Sequence, residues 1–248
     1  MNQIAESKTR PLLRISLRAA FIAIVFFGLI IRFWILPSLT QKKVSQWVIQ
    51  NGGTISYVAE DRAAEFFSKA EYGLLGYWPG IDFIDHISRV HLEQPISDIS
   101  TLGNVKHIVH LSISKFDGPD LSPIAKTKSL KSFSVYNSKI TQLDALNQLV
   151  NLQTLEITHC DLTNIQGLSN CIQLEYVDLS NTPLKEIQGL QSLTELTTLR
   201  LSHTKVTDFE PLKSLQNLSK LTLRGTSISP AELSELKAAL PNCLIESD

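Results

Sequence analysis

Cysteine is scarce in this 248-residue chain, which contains three, and the short motifs of several enzyme classes are missing. An odd number of cysteines does not form an even disulfide framework, so we expect reduced, buried thiols. The sequence has no Walker loop, G-x-S-x-G, H-E-x-x-H or C-x-x-C, which mark P-loop NTPases, serine hydrolases, zinc proteases and thiol oxidoreductases. We therefore predict that the protein is not an enzyme and holds no cofactor.

An excess of charge of one sign is also lacking, since the formal net charge is −1. This balance excludes the strongly basic surface of a nucleic-acid-binding protein. Histidine is the one residue type that invites a metal hypothesis, because several histidines lie close together in the sequence: His86, His91, His107 and His110. Their spacing fits no ligand motif, and no cysteine or pair of carboxylates accompanies them, so we predict no metal site.

Long hydrophobic runs are rare, and the strongest covers residues 19–36 with one interruption at Arg32. A helix of that length spans roughly 27 Å, close to the thickness of the hydrocarbon core of a bilayer. Basic residues precede the run, so residues 1–18 are predicted to be a cytoplasmic tail and residues 19–36 a transmembrane helix. This predicts a single-pass protein of the cytoplasmic (inner) membrane with the remaining residues on the periplasmic side. A cleaved signal peptide and a buried core helix are the alternatives.

The sequence does contain a regular repeat between residues 108 and 228. Two apolar residues separated by one position recur every 22 residues, with another apolar residue three positions before each pair. The pairs are Leu111/Ile113, Phe133/Val135, Leu155/Ile157, Val177/Leu179, Leu199/Leu201 and Leu221/Leu223. This spacing is typical of leucine-rich repeats.

Each repeat predicts one short strand and a return path, which together give an α/β solenoid. Alternation places the apolar residues of each strand on one side, and stacking in register forms a parallel sheet on the concave side of a horseshoe. Return segments such as residues 207–212 are too short for long helices, which predicts turns or 3-10 pieces on the convex side. A small hydroxyl or thiol after each strand can bond buried backbone. Phe116 departs from that rule and, with Gly118 and Pro119, marks the first full repeat as irregular.

The two ends of the array differ from the repeats. Residues 37–86 contain helical and strand patterns and are predicted to be an N-terminal α/β cap instead of a separate domain. Residues 87–248 are predicted to be the leucine-rich repeat domain, which begins with a degenerate repeat. Near its end Ser229 is the expected N-cap of a helix, and Glu232 completes a capping box. This helix is predicted to be the C-terminal cap.

Three segments carry a resemblance to a known family. They are Trp47–Gly53, Leu201–Asp208 and Ala239–Ile245, which read W-x-x-x-x-G-G, L-S-x-T-x-V-T-D and A-L-P-x-C-x-I. The layout resembles bacterial membrane-anchored leucine-rich repeat proteins, and the resemblance implies one N-terminal anchor and no particular activity. The repeat is also similar to the 22-residue class of phosphatase-regulating subunits and bacterial internalins, which implies a binding function.

The outward positions of the predicted strands form the candidate binding surface. Its candidate residues are Tyr136, Glu156, Tyr176, Asp178, Arg200, Lys220 and Arg224. We expect Asp178 and Arg200 to neutralise each other as lateral neighbours. Lys220 is expected to lie beside Asn242 without an acid, and Arg224 to be neutralised only in part by Glu246. The surface would then attract an acidic protein segment or an anionic glycan, unless it is merely a solvated sheet surface with no partner.

The combined expectation is a membrane-anchored, extracytoplasmic and non-catalytic binding module. Its partner is predicted to be a protein, with a glycan as the alternative ligand, and its membrane contact one N-terminal helix. Two other hypotheses stay open. One is a structural or assembly protein of the cell envelope that oligomerises, and the other is a cytosolic leucine-rich repeat regulatory subunit. The sequence predicts no oligomeric state.

Overall fold

The computed structural model describes residues 24–29, 36–57, 87–105, 107–118 and 120–248. Within these residues, nine strands form one sheet in the order of the sequence. The strands are β1 (Thr54–Tyr57), β2 (Ile87–Leu92), β3 (His110–Ser114), β4 (Ser132–Tyr136), β5 (Thr154–Thr158), β6 (Tyr176–Asp178), β7 (Thr198–Arg200), β8 (Lys220–Thr222) and β9 (Leu244–Glu246). Residues 24–29 are helical, and two further α-helices are α1 (Leu36–Gln50) and α2 (Pro230–Ala239).

Strands β2 to β9 are parallel, and a 3-10 helix lies in the return path after each of β2 to β7. These helices are Ser100–Asn104, Ser122–Lys126, Asp144–Gln148, Gln166–Leu168, Gln188–Leu190 and Glu210–Ser214. From β3 to β8, paired residues are 22 positions apart, as in His110 with Ser132 and Thr198 with Lys220. The prediction of a leucine-rich repeat solenoid with a parallel sheet and 3-10 turns is confirmed.

The core lies between the sheet and the 3-10 helices. In β5, Leu155 and Ile157 are fully buried, whereas Thr154, Glu156 and Thr158 on the other face are half-buried. Each 3-10 helix adds one fully buried apolar residue: Leu102, Ile124, Leu146, Leu168, Leu190 and Leu212. Burying a leucine or isoleucine side chain contributes roughly 1.5–3 kcal/mol, and repeats must stack to bury both sides of this layer.

Hydroxyl groups at the end of each strand bond the backbone where it turns away from the sheet. The Thr182 hydroxyl donates to the Leu179 carbonyl at 2.7 Å, and the Thr204 hydroxyl donates to the Leu201 carbonyl at 2.8 Å. The Cys160 thiol takes the same place and donates to the Thr158 carbonyl at 3.3 Å. The two threonine hydroxyls bond carbonyl groups at the turn into the return path, whereas the Thr158 carbonyl also accepts the N–H of Asn137 at 3.1 Å. The predicted role of these small residues is therefore confirmed.

The irregular first repeat exchanges a large and a small residue. Phe116 replaces the small residue, and Gly118 replaces the apolar residue found at Ile140 in the next repeat. A Cβ atom added to Gly118 would lie 2.6 Å from Phe116 Cζ, so the phenyl ring fills the space that an isoleucine takes elsewhere. Phe116 is fully buried. The two changes compensate each other, and an open groove of about 620 Å³ lies beside them.

The residue that follows each strand region has left-handed backbone. Its φ lies between 51° and 59° at five non-glycine positions and is 68° at Gly225. The five are Lys115, Asn137, His159, Asn181 and His203. The backbone N–H of each donates to the carbonyl of the neighbouring repeat, for example from Asn181 to Ser202 at 2.8 Å. This conformation ends the strand and directs the chain into the return path.

The elements predicted on both sides of the array are present in part. Helix α1 buries Val44 and Val48 and ends before Gly52, which has a φ of 67°, and β1 follows and pairs antiparallel with β2. Residues 58–86, the rest of the predicted N-terminal cap, lie outside the described residues. Helix α2 has the predicted N-cap and capping box, since Ser229 Oγ accepts from the N–H of Glu232. The Glu232 carboxylate accepts from the N–H of Ser229 at 2.9 Å.

The predicted register of the last strand is wrong. Lys220 pairs with Leu244 and Thr222 with Glu246, so the offset between β8 and β9 is two residues longer than between the preceding strands. The sequence-based alignment placed Asn242 beside Lys220. The difference arises because the final return path contains α2, an α-helix of ten residues, where the other return paths contain short 3-10 helices.

The predicted localisation, a single-pass protein of the inner membrane, is wrong. In the part of the chain that the structure describes, no helix is both long and apolar enough to cross a bilayer. Residues 24–29 are helical and exposed. Helix α1 has 15 residues, contains Lys42 and Lys43, and packs Val44 and Val48 into the core. Residues 1–23 and 30–35, which contain the predicted tail and most of the predicted span, lie outside the described residues.

Candidate functional site

The strand register arranges the exposed side chains of the sheet in rows. We call this surface the concave face, after its place in the leucine-rich repeat horseshoe. One row contains Arg89, His110, Ser132, Thr154, Tyr176, Thr198, Lys220 and Leu244. A second row contains His91, Ser112, Ser134, Glu156, Asp178, Arg200, Thr222 and Glu246. Tyr136 stands beside Thr158 in a third row. The two tyrosines of these rows, Tyr136 and Tyr176, lie on β4 and β6.

The first contact in this region joins Tyr136 and Glu156 across neighbouring strands. The Tyr136 hydroxyl donates a hydrogen bond to Glu156 Oε2. Burial, and after it the hydrogen bond to the Glu156 carboxylate, together raise the pKa of Tyr136 to about 12. The phenol is therefore a proton donor that stays neutral at physiological pH, and it holds the Glu156 carboxylate against the sheet.

The second contact brings Tyr176, Asp178 and Arg200 together. The Arg200 guanidinium carbon lies 5.5 Å from the centre of the Tyr176 ring, a cation–π distance. Its Nη1 lies 3.6 Å from Asp178 Oδ2, and Asp178 Oδ1 accepts the N–H of Ser180 at 2.9 Å. Burial, and then the charge of Asp178, raise the pKa of Tyr176. The expected Asp178–Arg200 pair is present, and Tyr176 is part of it.

At the C-terminal end of the concave face, Glu246 pairs with both neighbouring cations. Glu246 Oε1 lies 3.0 Å from Lys220 Nζ, and Glu246 Oε2 lies 3.3 Å from Arg224 Nη2. The hydrogen bond from Lys220 is the main cause that lowers the pKa of Glu246. The prediction that no acid lies beside Lys220 is therefore wrong. The longer offset of β9 placed Glu246 between the two cations, which weakens the argument for an acidic partner at this end.

At the N-terminal end, the structure adds a residue that the sequence reasoning missed. Arg89 of β2 lies beside His110 of β3, and both line a shallow cavity of about 220 Å³ that Ser112, Ser132 and Ser134 also line. The offset between β2 and β3 is 21, as the spacing of Val90 and Leu111 in the degenerate first repeat predicts, but the candidate surface was counted only from His110 onward, which left Arg89 out. His91 Nε2 lies 3.0 Å from Glu93 Oε1. Within the described residues, no three His, Cys, Asp or Glu side chains are grouped to hold a metal ion.

On the opposite side of the molecule, Lys213 joins the last 3-10 helix to α2. Its Nζ lies 2.6 Å from Glu210 Oε2 and 3.1 Å from Glu235 Oε2. The hydrogen bond to Glu210 is the largest cause that raises the pKa of Lys213. Lys213→Glu would place a third carboxylate beside Glu210 and Glu235. This substitution would therefore disturb the fold and is unsuitable as a control for substitutions on the concave face. Thr194 and Glu186 are exposed, and neither has an ion pair in the described part of the chain, so they are better positions for control substitutions.

These features define the class of the protein. The strands, the parallel sheet and the 3-10 return paths form a leucine-rich repeat solenoid, and residues 150–192 match the family of leucine-rich repeats in two copies. The chain is a leucine-rich repeat protein, a class whose solenoids present extended surfaces for contact with other proteins. No protein of curated function matches the chain.

Solved structures of bacterial proteins are similar to this chain. Internalin InlF of Listeria monocytogenes has 25% identity and a TM-score of 0.59, with 65% of this chain and 47% of InlF covered. Internalin C2 of the same organism has 30% identity and a TM-score of 0.61, covering 65% of this chain and 71% of that one. The leucine-rich repeat protein LIC12759 of Leptospira interrogans has 26% identity and a TM-score of 0.57, covering 62% and 40%. This chain therefore spans about half the length of InlF.

Proposed function

We propose that this protein binds another protein through its concave face, with the contact centred on β4 to β7 and extending to β8. The proposed contact residues are Tyr136, Glu156, Tyr176, Asp178, Arg200, Lys220 and Arg224. The main observation in favour of this function is that Arg200 stacks on Tyr176 beside Asp178, one strand away from the Tyr136–Glu156 hydrogen bond. Tyrosine and arginine contribute a large share of the binding energy at protein interfaces. The intramolecular contacts also hold these side chains in place before a partner arrives, which lowers the entropy cost of binding.

The proposal includes a division of the chain. Residues 37–86 cover one end of the repeats, and residues 87–248 form the repeat domain with α2 and β9 at the other end. The ion pair of Lys213 with Glu235 and the two ion pairs of Glu246 support this arrangement, because they tie α2 and β9 to the preceding repeats. In this proposal the ends maintain the sheet, and the partner contacts its centre.

Site-specific photo-cross-linking tests the proposal. A benzophenone amino acid is introduced at Thr154, which is half-buried beside Tyr176, and separately at Thr194, which is exposed in a return path. We expect the chain labelled at position 154, irradiated in the cells that produce it, to give one defined protein adduct, and the chain labelled at position 194 to give none. Adducts of equal yield from both positions, or an adduct with carbohydrate, would contradict the proposal.

Steric blocking provides a matched second measurement. Thr154→Arg adds a long side chain to the concave face, whereas Thr194→Arg adds the same side chain to the return path. With the benzophenone at the neighbouring Thr158, Thr154→Arg should abolish the adduct and Thr194→Arg should leave it. Circular dichroism of the two variants checks that both are folded. An adduct that survives Thr154→Arg would mean that the partner binds elsewhere.

A further inference from the structure

Glu156 is an acid at the centre of the concave face that has no cation partner among the described residues. Its Oε2 accepts the Tyr136 hydroxyl, and it pairs laterally with Asp178 on the next strand. Adjacent strands lie about 4.8 Å apart, so two carboxylates stand side by side. The single cation of this region, Arg200, lies 3.6 Å from Asp178 on the far side of that pair. The negative charge of Glu156 is therefore balanced less than that of Asp178.

The structure also shows how this surface holds a guanidinium group. Arg200 lies over the ring of Tyr176 and beside the Asp178 carboxylate. The same two kinds of group, a tyrosine ring and a carboxylate, are present at Tyr136 and Glu156 without a cation. A guanidinium group is planar and weakly hydrated, so it stacks on an aromatic ring better than an ammonium group does. The aromatic ring and carboxylate that bind Arg200 at Tyr176 and Asp178 are thus matched by the ring of Tyr136 and the carboxylate of Glu156.

We propose that the Tyr136–Glu156 pair binds an arginine side chain presented by the protein partner. This inference rests on the proposed function and names the chemistry of the partner at the same site. The arginine stacks on the Tyr136 ring and donates hydrogen bonds to the oxygen of Glu156 that Tyr136 leaves free. No covalent step is involved, and the recognition is electrostatic and aromatic.

The surroundings of the pair favour a cation over an anion. On the side of β3 and β4 the same rows carry Ser112 and Ser134, whose short side chains leave space for an incoming side chain. Arg89 belongs to β2, three strands from Glu156, which is about 14 Å by strand spacing. At the other end, Glu246 already pairs with Lys220 and Arg224. An acidic partner would meet paired cations there, whereas a basic partner meets an unpaired carboxylate at the centre.

A titration with small peptides tests the inference on the full chain. The probes are acetyl-Gly-Arg-Gly-amide, the lysine and glutamine versions of it, and an acidic acetyl-Gly-Glu-Gly-amide, each followed by ¹⁵N NMR at low ionic strength. We expect saturable shifts of the β4–β6 amides with the arginine peptide, and an affinity for the lysine peptide roughly threefold lower. The glutamine and acidic peptides should produce no saturable shift there.

Glu156→Gln and Glu186→Gln form the matched pair of variants, because both remove one negative charge with almost no change of shape. Glu156→Gln should weaken binding of the arginine peptide by roughly three- to fivefold, the range for one half-exposed ion pair, and Glu186→Gln should leave it unchanged. Equal weakening by both variants, or shifts with the acidic peptide at β8 and β9 instead, would overturn the inference.

The same variants separate this inference from the proposed function. If Thr154→Arg abolishes the cross-linked adduct while Glu156→Gln has no effect on the adduct or on peptide binding, the concave face binds a protein but not through an arginine at this pair. If the arginine peptide binds as expected but the adduct is insensitive to Thr154→Arg, the cation site exists and the partner uses another surface.

Discussion

The phenol of Tyr136 gives the concave face a property that can be measured without a partner. Its pKa is raised to about 12 by burial first and by Glu156 second. In an unfolded chain, tyrosine loses its proton at about pH 10. Between these values the folded state keeps a proton that the unfolded state has lost. The free energy of unfolding therefore decreases as the pH rises through this window.

Tyr136→Phe should reduce that decrease, because phenylalanine has no proton to lose. Denaturant unfolding of both chains at about pH 9 and about pH 11.5 provides the comparison, since the two values lie on either side of the tyrosine pKa in an unfolded chain. Burial also raises the pKa of Cys160 and of Cys171 to about 11, but both cysteines are present in each chain, so their contribution cancels. The same loss of stability in both chains would show that Tyr136 titrates as an ordinary exposed phenol.

At this scale the sequence predicted which residues face the solvent but not what they contact. Strand alternation placed Leu199 in the core and Arg200 outside, and the structure confirms both positions. The stack of Arg200 on Tyr176 was not predictable, because it joins different rows of adjacent strands and depends on side-chain rotamers. The pairing of Glu246 with Arg224 was expected, but its pairing with Lys220 was missed for another reason. It depends on a strand offset that the 22-residue pattern does not contain.

At the scale of the elements, α2 is a return path whose start is fixed by a capping box. Ser229 and Glu232 exchange hydrogen bonds that satisfy two N–H groups at the start of the helix. Ser229→Ala should therefore lower the free energy of unfolding by about 1 kcal/mol. Ser234→Ala is the matched control, since Ser234 is exposed within the same helix and alanine favours helix formation there. Thermal unfolding measures both, and equal effects would mean that the capping box adds nothing.

The predictability of the elements follows from how local their signals are. Helix α2 was predicted with its N-cap, because the capping box lies within four consecutive residues. The strands from β3 to β8 were predicted because the same spacing of apolar residues recurs in each repeat. The offset of 21 residues between β2 and β3 was predicted from the spacing of Val90 and Leu111, and the structure confirms it. The offset of β9 was not predicted, since it depends on how the chain returns from an α-helix. The membrane span was predicted from one hydrophobic run and the basic residues before it, and none of the described helices has the length and hydrophobicity that this prediction requires.

At the scale of the whole molecule, long-range contacts are mainly those between consecutive repeats. Each strand pairs with the strand of the repeat before and the repeat after, and the 3-10 helices follow the same order. Stability in such arrays is close to a sum of repeat and nearest-neighbour contributions. The end repeats, which have a neighbour on one side only, therefore depend most on α1 and α2.

Because the register between β3 and β8 is constant, one whole repeat of 22 residues can be removed or added without changing how the remaining strands pair. Removing residues 174–195 would bring β5 beside β7, with Leu199 beside Leu155 and Arg200 beside Glu156. We expect a folded, cooperatively unfolding chain with a lower melting temperature, whereas removing half a unit, residues 174–184, should prevent folding, because an incomplete repeat cannot bury its apolar side. The number of repeats, and with it the width of the concave face, can therefore change while the remaining strands pair in the same register. Natural chains of this kind are free to vary it by duplication or loss of one segment.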